Sequence, residues 1–119
     1  MGVTDEELLA AFVTGALGGA DFPHERHVLV TWMLLRRHEP DEAFRRLTAG
    51  IRDIARRAGR PEAYHETITR AWFELIAGAD DLAAHPELFD KSLLGSYYSP
   101  AALAEGRTSW VEPDLRPLR

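Results

Sequence analysis

Residues 40–59 read PDEAFRRLTAGIRDIARRAG, and their periodicity decides the fold. Phe44, Leu47, Ile51, Ile54, Ala55 and Ala58 recur at steps of three and four residues, so they share one face of an α-helix. Arg45, Arg46, Arg52, Arg56 and Arg57 fall on the opposite face, where water can solvate them. The pattern predicts a helix from about Asp41 to Ala58, closed by Gly59. So basic a face leaves an acidic partner open, beside the simpler reading of a solvated surface.

The same period extends to both sides. Upstream, Thr4 and Glu7 form a capping box, and Asp5 and Glu6 complement the helix dipole. That helix is expected to run through Leu8, Leu9, Phe12, Val13 and Leu17 to a stop at Gly18-Gly19. Asp21-Phe22-Pro23 reads as a second start, with Asp21 as N-cap and proline in the first turn. From His24 to about His38 the apolar arc is wide, with Val28, Leu29, Trp32, Met33 and Leu35, which predicts a central helix ended by Pro40. Downstream, Pro61 is expected to open a fourth helix bearing Tyr64, Ile68, Trp72, Leu75 and Ile76 on one side and ending at Gly78. A broken helical stretch over 81–98 is interrupted by Pro86. Ser99-Pro100 then starts a short last turn ended by Gly106, and the tail from Thr108 is extended. No stretch reads as a strand or an internal repeat. The expectation is an all-α single domain over 1–119, a bundle of about five helices with an extended C-terminal tail.

Composition narrows the function classes. The chain has 119 residues, 45% hydrophobic and 28% charged, an ordinary globular balance. It has no cysteine, so disulfide scaffolds, thiol nucleophiles and thiolate metal sites are excluded. A net charge of −5 argues against a nucleic-acid surface, which needs clustered positive charge. No apolar run reaches the ~20 residues of a membrane span, and the acidic N-terminus does not read as a signal peptide. The expected location is the cytoplasm and the expected partner a small-molecule substrate, with no nucleic acid and no membrane; homodimerisation is left open.

Histidines carry the chemistry. His24 and His27 are one helical turn apart, on a face continued by Val28, Thr31 and Leu35, so the pair is expected to point inward. His65, in the first turns of the fourth helix, continues into Ile68, Thr69 and Trp72, again inward. Glu66 follows directly. Two helices that bring such groups to one end of a bundle can build an acid–base pair, with pKa values set by burial and by each other. Alternatively His24, His27 and His65 with one open position could hold a divalent metal, zinc or iron. Either set competes with ordinary structural roles: Glu66 could pair with Arg70 at i+4, and His38 and His85 read as structural. Trp110, in the irregular tail, would either pin that tail or lid a pocket.

Phe22-Pro23-His24-Glu25-Arg26-His27, then Trp32, then Tyr64-His65-Glu66-Thr67-Ile68-Thr69 together resemble a family of small uncharacterised bacterial helical proteins with Phe-x-His-x-x-His and Tyr-His-Glu-Thr motifs. Leu94-Gly95-Ser96-Tyr97-Tyr98-Ser99 and Trp110-Val111-Glu112-Pro113-Asp114 also look like segments of that family, so the resemblance covers most of the chain. Thr31 departs from it, where relatives tend to have alanine. The resemblance implies that His24, His27, His65 and Glu66 act together. The resulting expectation is an acid–base enzyme for a small organic substrate. Glu66 would carry the proton with His65 as partner, and His24 and His27 would orient substrate or ligate the metal. Tyr64, Thr69, Trp72, Thr31 and Tyr97 would form the substrate pocket. Condensation, cyclisation of the Pictet–Spengler type and isomerisation are reactions within reach of such groups. A metal-dependent enzyme and a non-catalytic metal- or ligand-binding module are the alternatives.

Overall fold

A computed structural model describes residues 4–118. The fold is all-α: the described residues form five α-helices and five short 3-10 helices, and no strand. They divide into two compact units, one ending at Ala63 and the other beginning at Tyr64. No helix among the described residues is long and apolar enough to cross a membrane.

The first unit contains α1 (Asp5–Thr14), α2 (His24–Arg37) and α3 (Pro40–Arg57). The capping box forms as expected: Thr4 Oγ1 accepts from the Glu7 amide at 3.1 Å, and Glu7 Oε1 accepts from the Thr4 amide at 3.2 Å. α1 stops sooner than Gly18, because Gly15 takes a left-handed conformation at φ 79° and its amide bonds back into the last turn. Leu17 lies past that stop and is still buried. Asp21 is not the N-cap of α2. Pro23 occupies that position, because a residue preceding proline is pushed out of the α region and the helix cannot extend back through Phe22. Asp21 instead offers its carbonyl to Arg26 Nη1 at 2.9 Å. Pro40 starts α3 rather than merely ending α2, its fixed φ suiting the first helical position.

α2 packs against both α1 and α3. Leu8, Phe12, Val28, Val30, Leu34, Ala43 and Leu47 are buried. Gly50 sits inside α3 because the Phe12 ring lies against it: a Cβ there would come within 2.2 Å of Phe12 Cζ. The basic face of α3 is paired along its own helix, Arg45 and Arg46 with Glu42 and Arg56 and Arg57 with Asp53. The hydrogen bond from Arg57 is the main cause holding the Asp53 carboxyl below its ordinary range.

The second unit contains α4 (Glu66–Ala77) and α5 (Pro100–Glu105). Pro61 opens only a 3-10 turn, Pro61–Ala63, and α4 begins later than the sequence predicts, at Glu66. The broken stretch over 81–98 resolves into three 3-10 turns, Leu82–Ala84, Pro86–Phe89 and Lys91–Ser96. Asp81 and Asp90 each cap a turn by accepting an amide two residues on, a bond that competes with a longer helix. The helix-free segment after α5 is tied to the unit by hydrogen bonds. Glu66 and Thr67 donate their amides to the carbonyls of Arg107 and Gly106 at 2.9 and 3.1 Å. Thr67 Oγ1 donates to the Ser109 carbonyl at 3.0 Å and accepts from the Val111 amide at 3.1 Å. Tyr98, 1% exposed, donates its hydroxyl to the Val111 carbonyl at 2.7 Å.

Candidate functional site

The upstream histidines lie on α2 and are half-buried. Val28 and Thr31 on the same helix are fully buried. His24 and His27 approach with ring centroids 6.1 Å apart. His27 also meets Phe22 edge-on at 5.8 Å, and Phe22 stacks on Phe12 at 5.4 Å. The result is a row of rings within the first unit: Phe12, Phe22, His27, His24. Nε2 of His27 is buried and has no hydrogen-bond partner among the described residues. Burial, and secondarily the neighbouring His24, lowers the His27 pKa from 6.5 to about 4, so the ring is uncharged at neutral pH. An orphaned buried nitrogen of this kind costs roughly 1–3 kcal/mol, and folded proteins rarely retain one.

His65 takes a different part from the one the sequence predicts. It is buried, as expected, but as the N-cap of α4 rather than within its first turns. Nδ1 accepts from the Ile68 amide at 3.1 Å, so the ring hydrogen sits on Nε2, which donates to the Leu103 carbonyl at 2.8 Å. Both ring nitrogens are thereby engaged within the second unit. No group of three or more His, Asp or Glu side chains that could hold a metal ion is found among the described residues.

Glu66 has another partner. Tyr64 donates its hydroxyl to Glu66 Oε1 at 2.6 Å, a short charge-assisted bond on a half-buried carboxylate. The dyad sits where α4 begins, and the helix dipole there favours negative charge. The pocket residues expected from the sequence divide between the units, Thr31 in the first and Tyr64, Thr69, Trp72 and Tyr97 in the second. Thr31 is fully buried and donates its hydroxyl to the His27 carbonyl at 2.8 Å, a bond inside its own helix. Thr69 and Trp72 are buried core residues of α4. Tyr97 lines a cavity of 480 Å³ in the second unit.

A cavity of 620 Å³ in the second unit, walled by Arg70, Trp110 and the segment 112–118, was not legible in the sequence. Arg70 does not serve Glu66 at i+4. Its guanidinium lies over the Trp110 ring, 4.9 Å from the centroid. Trp110 in an irregular tail was the available signal, but periodicity cannot place it against a residue forty positions away. The chain matches no family model, and no curated protein or solved structure is similar to it.

Proposed function

We propose that the protein is an acid–base enzyme for a small organic substrate, and that the uncharged imidazole of His27 is the group that meets it. The observation that carries this reading is the buried, unpartnered Nε2 of His27. A polar substrate atom supplies the missing hydrogen bond and recovers the cost of the orphan. With its pKa lowered to about 4, the ring stays neutral at pH 7 and acts as a hydrogen-bonding electrophile or acceptor rather than as a cation. The Phe22 ring beside it favours a flat, largely apolar substrate carrying a carbonyl, hydroxyl or amine. Condensation, ring closure of the Pictet–Spengler type and isomerisation all need proton movement of this kind.

The test begins with a thermal-shift screen of flat aromatic amines, hydroxyaromatics and carbonyl compounds on the full chain. The wild-type protein should be stabilised by a subset that leaves His27→Phe unmoved. With a hit in hand, His27→Gln, which keeps a hydrogen-bonding side chain but cannot carry the proton, should lower turnover by about 10²–10⁴, the usual share of general acid–base catalysis, while binding survives. A ligand that stabilises His27→Phe as well as wild type removes His27 from the site. Bound but unconverted compounds throughout the screen favour the non-catalytic binding module.

A further inference from the structure

We infer that the second unit holds a separate site for a small zwitterion, an aminocarboxylate with an apolar or aromatic side chain, in the open cavity lined by Trp110 and residues 112–118.

The charged groups there are held ready for a ligand. Arg70 lies over Trp110 at 4.9 Å and Arg116 over Tyr97 at 4.4 Å. A guanidinium held over an aromatic ring keeps N–H groups that can donate to a carboxylate. Arg116 is further fixed by donating to the Tyr97 hydroxyl at 2.9 Å. Both arginines are thus oriented before a ligand arrives, which lowers the ordering cost of binding.

The wall itself is built rather than loose. Asp114 accepts from the Ser99 amide at 2.8 Å and the Ser99 hydroxyl at 2.5 Å, and the Leu115 amide donates to the Tyr97 carbonyl at 2.9 Å. Trp110 Nε1 donates to Glu112 Oε1 at 3.0 Å.

Charge then selects the ligand. Arg70 and Arg116 face Glu74, Glu112 and Asp114 around one cavity of 620 Å³. Side chains of both signs line the cavity, which suits a ligand that carries both charges better than a simple anion or cation. Its carboxylate goes to the arginine edges and its ammonium to the acidic side.

The neighbouring cavity of 480 Å³ shares Glu74, Arg116 and Leu118 with the first and continues into Leu75, Leu88, Leu93 and Tyr97. It offers the ligand's apolar body a place beside its charged head, within the size range of small-molecule sites. None of these residues belongs to the His27 ring row, so this site stands or falls apart from the enzyme reading.

Calorimetric titration of the full chain with phenylalanine, phenylalanine amide and N-acetylphenylalanine tests it. The free amino acid should bind, and removing either charge should weaken binding by about tenfold or more, the effect of losing one charge-assisted hydrogen bond. Arg70→Gln should give the same loss. Arg70 is exposed, so this variant keeps its fold, and an unchanged helical spectrum checks that. Arg116→Lys, which keeps the charge but loses the planar fork, should also weaken binding. Equal binding of the amide and the free acid, unchanged affinity in Arg70→Gln, or no heat from the free amino acid at millimolar concentration would each overturn the proposal.

Discussion

His65 Nε2 lies 2.8 Å from the Leu103 carbonyl and donates to it, joining the start of α4 to α5. The same ring caps α4 through Nδ1, which accepts from the Ile68 amide at 3.1 Å. A side chain that performs both tasks is hard to replace. His65→Asn keeps a capping oxygen but lacks reach toward Leu103, whereas His65→Ala loses both bonds. The expected order of stability is wild type, then Asn, then Ala, with the alanine variant down by about 2–3 kcal/mol as a cap and a buried hydrogen bond are lost together. Urea unfolding checks the order. Asn and Ala variants of equal stability would mean that the cap contributes nothing.

Gly106 is required where Thr67 approaches it. A Cβ at Gly106 would lie 2.2 Å from Thr67 Oγ1 and 2.7 Å from Thr67 Cβ. The contact is confined, because Thr67 is fully buried and its hydroxyl already bridges Ser109 and Val111. Gly106→Ala should therefore cost about 1–3 kcal/mol, the range for overpacking. Gly95→Ala is the control: nothing lies within 4 Å of a Cβ there, and its stability should be unchanged or slightly raised. Thermal melts of the two variants make the comparison.

Tyr98 predicts an alkaline limit. Burial first, then the nearby Glu112 and Asp114, raise its pKa from 10.0 to about 12. The unfolded chain releases this proton at lower pH than the folded one, so the contribution is full below pH 10 and is lost as pH rises through about 12. Its size is on the order of 2–3 kcal/mol. Tyr98→Phe should be about 1 kcal/mol less stable at neutral pH, where it loses the bond to the Val111 carbonyl. The gap to wild type should close as pH rises. Denaturant unfolding from neutral to alkaline pH reads the gap directly, and a gap that widens instead would refute the linkage.

The helical fold was legible because it rests on periodicity, and the residues of α3 and the Thr4–Glu7 box state their own local geometry. Helix ends were read less well. The Gly15 stop and the Pro23 cap depend on backbone angles that one glycine or proline among several can adopt. His27 was expected to point inward from its place beside Val28 and Thr31, and its Nε2 is buried. The part played by His65 was not readable, because a histidine N-cap needs its ring turned back onto Ile68 and a carbonyl supplied by α5, far along the chain. The Arg70–Trp110 and Arg116–Tyr97 stacks were hidden for the same reason. They join α4 and the last 3-10 turn to a tail with no period of its own.

His27 predicts the behaviour at acid pH, and with it a trade between stability and function. Its folded pKa is lowered from 6.5 to about 4, chiefly by burial and then by His24. Between those values the unfolded chain binds a proton that the folded chain refuses, so stability is lost as pH falls from about 6.5 to about 4 and no further below that. The loss is on the order of 3 kcal/mol. His27→Phe has no proton to refuse, so its stability should stay flat across that window relative to wild type. It also removes the buried unpartnered nitrogen and should be more stable than wild type at pH 7, by about 1 kcal/mol or more. A residue kept for packing alone would give the opposite sign at neutral pH. Unfolding curves of both proteins at several pH values measure the two effects together. A variant that is flatter in acid and more stable at pH 7, yet no longer stabilised by the ligands of wild type, is the outcome expected of a histidine retained for its substrate. A variant destabilised at pH 7 would return His27 to the core as a structural residue.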